Sequence, residues 1–93
     1  MATNVTLLLA RLRDYHETLR GQTLAVDAAH AGLKNRFARL WSVYTGQNAE
    51  RFQAHWRKTS AGIDACMETS RRLERFLAQS IAALEKAEKS MQL

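Results

Sequence analysis

Three histidines and one cysteine are the residues of this 93-residue sequence whose side chains could hold a metal ion or act in catalysis. No two of His16, His30 and His55 stand three or four residues apart, the spacing that places two zinc ligands on one side of a helix. Cys66 has no second cysteine to pair with, and the sequence contains no phosphate loop, nucleophile elbow or Glu-x-x-His pair. We therefore expect no enzymatic activity, no metal and no cofactor. His30 and Cys66 are expected to be buried packing residues, His30 with a hydrogen bond.

The composition indicates a single all-helical domain. The chain has no proline, only four glycines and 46% hydrophobic residues. It is too apolar for a disordered tail and too poor in turn residues for a many-stranded β fold. No apolar run reaches the roughly 18 residues that cross a bilayer, and no basic region precedes the Leu7-Leu8-Leu9 run. We expect neither a transmembrane segment nor a secretory signal peptide.

Positive charge is spread along the whole chain, with 14 basic and 9 acidic residues giving a net charge of +5. The densest basic stretches, around Arg36 and Arg72, are interrupted by apolar and acidic residues. This pattern is typical of the solvated face of an amphipathic helix. Nucleic-acid binding would need clustered cations beside exposed aromatics. A basic, nucleoid-associated protein is therefore only the alternative function, supported by the isoelectric point near 10.0.

Two series of apolar residues at helical spacing predict two long helices. The first helix is expected over about residues 4–43 and the second over about 49–90, with a turn at about 44–48. In the turn, Gly46 can adopt a positive φ, and Thr45 or Asn48 can cap the second helix. The helices are expected to fold back on each other as one antiparallel hairpin domain over residues 1–93.

Apolar residues cover more of each predicted helix than a single neighbouring helix can bury. Those beside the main series are Leu7, Leu9, Leu24, Trp41, Val43 and Phe76. An exposed apolar surface of this size is unusual in a soluble monomer, so we expect the hairpin to dimerise into a four-helix bundle. The predicted bundle interface consists of Leu8, Leu12, Tyr15, Leu19, Leu33, Phe37, Leu40, Ile63, Leu73, Leu77, Ile81 and Leu84.

The predicted turn carries a recognisable series of residues. Gly46 is followed by Ala49, Phe52 and Trp56. In this register the chain resembles the WXG superfamily, whose pattern is W-x-G-x-x-A-x-x-F/Y with a large apolar residue four positions further on. Tyr44 stands where the family has tryptophan, and Trp41 lies three residues earlier. A purely structural role for the motif and an added role in recognition by secretion machinery both remain open.

The resemblance implies a protein that acts through protein-protein contacts in type VII (ESX) secretion. It would be a substrate, or a small adaptor that targets a WXG-like or toxin-like partner. Family members often carry a tyrosine followed four positions later by Asp or Glu, whereas Tyr15 and Tyr44 are followed by Leu19 and Asn48. The resemblance thus implies an adaptor that is cytoplasmic before export and is either secreted in complex with a partner or stays behind in the cell. Whether the protein forms a homodimer or a heterodimer stays open, as does the question of whether this chain is itself exported.

Overall fold

The computed structural model describes residues 4–91, which form two α-helices. Helix α1 spans Asn4–Trp41 and helix α2 spans Gln47–Met91. No strand occurs among the described residues, so the predicted all-α fold with two long helices is confirmed. Both helices are free of proline and rich in good helix formers such as Ala, Leu and Arg. The connecting turn covers residues 42–46 rather than the predicted 44–48.

Hydrogen bonds to the last carbonyls of α1 define the start of the turn. The amides of Val43 and Tyr44 both donate to the carbonyl of Leu40, at 3.0 and 2.8 Å. The Ser42 hydroxyl donates to the carbonyl of Arg39 at 2.6 Å. These bonds satisfy carbonyls that the end of a helix leaves without an intrahelical donor.

Gly46 closes the turn and occupies the N-cap position of α2. Its φ is +106°, which confirms the predicted positive φ, and its carbonyl accepts the amide of Glu50 at 3.0 Å. The prediction that Thr45 or Asn48 caps α2 is wrong, because Asn48 already lies in the first turn and Thr45 precedes the cap. Glycine is well accepted at the N-cap. The negative charge of Glu50, in the first turn of α2, interacts favourably with the positive end of the helix dipole.

Replacing Gly46 with alanine is expected to destabilise the protein. A side chain at this φ is strained even though an added Cβ would meet no atom within 4 Å. We expect a loss of about 1–3 kcal/mol in the free energy of unfolding. The matched control is Gly62→Ala, in the interior of α2 with equally open surroundings, which is expected to stabilise by about 0.5–1 kcal/mol. Urea unfolding measures both changes. Equal changes of the same sign in the free energy of unfolding would contradict the assignment of a positive φ to Gly46.

The chain forms two compact units, each containing a segment of α1 and a segment of α2. One unit comprises Met1–Thr23 and Ser70–Leu93, of which residues 4–23 and 70–91 are described. There the Thr6 hydroxyl donates to a Glu88 carboxylate oxygen at 2.9 Å, and Arg13 pairs with Glu85 at 2.9 Å. The residue numbers rise along α1 as they fall along α2, so the segments are antiparallel.

The other unit is Leu24–Thr69, which contains the turn. In this unit His30 bonds to Ser60, and Trp41 contacts Phe52. The segments of α1 and α2 are therefore antiparallel here too, and the hairpin prediction agrees with the structure in each unit. No helix over residues 4–91 combines the length and the hydropathy needed to cross a bilayer.

The side chains buried among the described residues are few, and several are small or polar. Leu9, Ala49 and Met67 are the buried apolar ones, and Thr23 and His30 are the buried polar ones. The Thr23 hydroxyl donates to the carbonyl of Leu19 at 2.9 Å, which satisfies it inside its own helix. The hairpin thus buries little of its apolar surface by itself.

Two positions differ from what the sequence predicts. Leu9 was expected beside the main apolar series but is only 1% exposed, and Cys66 was expected to be buried but is exposed. Met67, the neighbour of Cys66, is buried instead. Consecutive residues of a helix point about 100° apart. A small error in the predicted rotation of a helix against its neighbour therefore assigns burial to the adjacent residue, such as Cys66 instead of Met67.

Candidate functional site

Four aromatic residues in the unit that contains the turn pack into one group, here called the aromatic cluster. It consists of Phe37 and Trp41 on α1 and of Phe52 and Trp56 on α2. Phe37 is central, with its ring centroid 4.5 Å from Trp56, 5.6 Å from Phe52 and 5.7 Å from Trp41. Trp41 and Phe52 close the cluster at 5.5 Å. Such ring pairs contribute about 0.5–1.5 kcal/mol each beyond the burial of area, so the cluster holds the two helices together near the turn.

The structure brings most of the predicted turn motif together. Trp41, Phe52 and Trp56 meet through Phe37, and Ala49 is buried. Tyr44 is 38% exposed and, among residues 4–91, joins none of the ring pairs of the cluster. α1 ends at Trp41, so Tyr44 lies in the turn beyond the helix. The indole on the α1 side of the cluster therefore comes from Trp41 and not from the position that the family motif assigns.

A hydrogen-bonded network adjoins the aromatic cluster and centres on His30. The His30 side chain is 4% exposed, which confirms the expected buried, hydrogen-bonded histidine. Its Nε2 is 2.7 Å from the Ser60 hydroxyl, and its Nδ1 is 3.5 Å from an Asp64 carboxylate oxygen. Lys34 approaches the same carboxylate oxygen at 3.4 Å, and the Trp56 ring lies edge-on to the imidazole at 5.9 Å.

The order serine, histidine, aspartate also occurs in the relay of serine hydrolases, but here it fits a structural role better. A hydrolase needs amide donors around the carbonyl that serine attacks. Ser60 lies in the interior of α2, where backbone amides are used in helical bonds. The Asp64 carboxylate is shared with Lys34, and its oxygen is farther from His30 than a strong hydrogen bond allows. The network satisfies a buried imidazole and fixes the axial position of α1 against α2.

Removing the Ser60 hydroxyl is expected to destabilise the hairpin. In Ser60→Ala a ring nitrogen of the buried His30 loses its 2.7 Å partner. An unsatisfied buried polar atom costs about 1–3 kcal/mol, and we expect a loss in this range in urea unfolding. Ser80→Ala is the matched control, because Ser80 is also half-buried on α2. Indistinguishable unfolding midpoints for the two variants would contradict this role of Ser60.

An open groove of about 380 Å³ runs beside the aromatic cluster and the His30 network. Both tryptophans of the chain line it, and we call it the tryptophan groove. Sequence reasoning missed most of its residues, because charged and small side chains give no periodic signal. Its lining residues are Lys34, Ala38, Trp41, Gln53, Trp56, Arg57, Ser60, Ala61 and Asp64.

The predicted bundle interface divides into two groups in the structure. Leu12, Leu19, Phe37, Leu40, Ile63, Leu77, Ile81 and Leu84 are half-buried. Leu8, Tyr15, Leu33 and Leu73 are exposed. Further large apolar side chains are exposed as well: Leu7, Leu24, Val26, Val43, Tyr44, Phe52, Phe76 and Met91. We call these twelve residues the exposed apolar set.

Within residues 4–91, no three His, Cys, Asp or Glu side chains are grouped so that they could hold a metal ion. No buried side-chain nitrogen or oxygen in this part of the chain lacks a hydrogen-bond partner. The buried side-chain polar atoms of this part of the chain are therefore satisfied by contacts within the protein. Comparison with protein-family profiles, with curated proteins and with solved structures gives no match.

Proposed function

We propose that this protein is a WXG-like helical hairpin that acts through helix-bundle contacts with a second protein, as a substrate or small adaptor of type VII secretion. The observation that carries the proposal is the distribution of apolar side chains. Among residues 4–91 only two large apolar side chains, Leu9 and Met67, are buried, whereas the exposed apolar set has twelve members. A chain that exposes more large apolar side chains than it buries is suited to a further helical partner.

Burial of the exposed apolar set would supply the driving force for assembly. Covering apolar surface is worth roughly 25 cal/mol per Å², and several large side chains are 40% exposed or more. Pairing with a second hairpin in a four-helix bundle would cover them. The partner would be a second copy of this chain or another WXG-like or toxin-like protein.

The turn supports the WXG-like part of the proposal. Gly46 has the positive φ that the hairpin needs, and Ala49, Phe52 and Trp56 occupy the α2 side of the turn at the family spacing. Phe52 and Trp56 join the aromatic cluster, so the motif builds a distinct end of the hairpin. Such an end is a candidate surface for recognition by secretion machinery.

The basic alternative, a nucleic-acid-binding protein, has less support. Binding to a phosphate backbone needs several free cations close together. In the tryptophan groove, however, the two indoles stand beside Lys34, Arg57 and the carboxylate of Asp64. Two cations, Arg13 and Lys34, are paired with carboxylates of the same chain.

Secretion assays test the proposal directly. We expect the chain to stay in the cell when it is expressed alone in a host with a working type VII system, because neither Tyr15 nor Tyr44 precedes an acidic residue at the family spacing. Co-expression with the product of the neighbouring gene is expected to release both proteins into the medium. The control is the same host with an inactive secretion ATPase. Release that does not depend on the ATPase would contradict a role in type VII secretion, and equal release without the neighbour would identify a self-sufficient substrate.

A further inference from the structure

The tryptophan groove is long enough to accommodate one short helix. On α1 its residues Lys34, Ala38 and Trp41 follow helical spacing, and on α2 it extends from Gln53 to Asp64. At about 1.5 Å of rise per residue, this stretch of α2 is about 16 Å long, or three helical turns. The small side chains of Ala38 and Ala61 let a third helix approach the backbone closely.

The charges at the groove are not balanced. The Asp64 carboxylate already contacts Lys34 at 3.4 Å and His30 at 3.5 Å. Arg57 is exposed, and among residues 4–91 it has no acidic partner at ion-pair distance. The charged side chains that line the groove are two cations, Lys34 and Arg57, and one carboxylate, Asp64. One uncompensated guanidinium therefore stands beside two indole rings.

We propose that the tryptophan groove binds an acidic amphipathic helix of a partner protein. An aliphatic side chain of that helix packs between Trp41 and Trp56, and a carboxylate one or two turns away pairs with Arg57. This inference rests on the proposed function and specifies the chemistry of the partner. All lining residues of the groove belong to the unit Leu24–Thr69, whereas Leu8 and Tyr15 belong to the other unit.

A second copy of this chain is a poorer occupant of the groove. Each copy carries a net charge of +5, so two basic surfaces would meet. Five of the nine acidic residues already have partners within the chain: Asp27, Asp64, Glu68, Glu85 and Glu88. A partner with a free acidic face meets Arg57 without this competition.

Intrinsic fluorescence gives a direct test, because both tryptophans of the chain line the groove. The probe is a synthetic amphipathic peptide of leucine and glutamate, and its control replaces every glutamate with lysine. We expect a saturable change in tryptophan emission with the glutamate peptide only. The affinity for this peptide should fall by at least about 10-fold at high salt, because salt screens the ion pair with Arg57. Arg57→Glu should weaken binding by about 10-fold or more, and Arg57→Gln by less.

Lys58→Glu is the matched control, because it makes the same charge change at the adjacent position, which does not line the groove. Equal binding of both peptides, or equal effects of Arg57→Glu and Lys58→Glu, would overturn the proposal. Tighter binding of a DNA oligonucleotide than of the glutamate peptide, or self-association that Arg57→Glu abolishes, would overturn it in favour of a nucleic acid or a second copy. The proposed function is tested by different experiments, namely the secretion assays and the measurement of assembly through Leu8 and Tyr15. Its failure can therefore be distinguished from failure of the groove proposal.

Discussion

Replacing Leu8 and Tyr15 together with glutamate is expected to dissociate the assembled protein. Leu8 is 45% exposed and Tyr15 is 59% exposed, and they stand seven residues apart on one side of α1. Each substitution removes a large side chain whose burial would stabilise the bundle. It also introduces a carboxylate that must be desolvated when the bundle forms. Two such losses weaken association by at least about 100-fold. The parent protein is expected to be a dimer or larger at about 10 µM in sedimentation equilibrium, and the double variant a monomer.

The control for this prediction adds the same charges on the opposite side of α1. Ala10→Glu with Asn35→Glu changes two exposed residues that, at about 100° per residue, point away from Leu8 and Tyr15, and is expected to leave association intact. Circular dichroism should show equal helicity for both double variants, because all four side chains are exposed. A parent protein that is a stable monomer at this concentration and binds no apolar dye would contradict the assembly surface.

Phe37→Ala is expected to cause the largest loss of stability. Phe37 contacts Trp41, Phe52 and Trp56, so its removal opens the centre of the aromatic cluster. Truncating a packed phenylalanine costs about 3–5 kcal/mol, and since Phe37 is half-buried we expect about 2–4 kcal/mol. For a domain of this size that lowers the Tm by about 10 °C or more.

The matched control is Phe76→Ala, which removes the same side chain from a site that is 62% exposed. We expect a change below about 1 kcal/mol. Both substitutions are best measured by urea unfolding in the Leu8→Glu and Tyr15→Glu background, because assembly would otherwise add to the apparent stability. Equal losses for the two phenylalanines would show that the aromatic cluster does not stabilise the hairpin.

The turn shows how far local sequence reasoning reaches. The positive φ of Gly46 could be predicted, because only glycine adopts it readily and no other glycine stands beside Thr and Asn. The cap of α2 was predicted wrongly, since Thr45 and Asn48 have the right chemistry but the carbonyl of Gly46 accepts the first helical bond. Propensity gives the residue types that suit a cap, while the path of the chain decides which one is used.

The candidate site was predictable only in part. The pattern Ala49, Phe52, Trp56 pointed to the aromatic end of the hairpin, and these residues do lie there. The aromatic cluster contains Trp41 and not Tyr44, because α1 ends at Trp41 and Tyr44 lies in the turn beyond it. The pairing of His30 with Ser60 joins residues 30 positions apart on different helices.

The sequence by itself determined that this chain forms two long helices joined by a glycine turn. Helical periodicity, the absence of proline and the position of Gly46 are local properties, and they act through bonds between residues a few positions apart. Only the tertiary structure decided which side of each helix faces the other. Periodicity gives the apolar face of a helix but not its rotation or axial offset against a neighbour. In the unit that contains the turn these are set by contacts such as His30 with Ser60 and Phe37 with Trp56. In the other unit the packing buries Leu9 and leaves its neighbour Leu8 exposed.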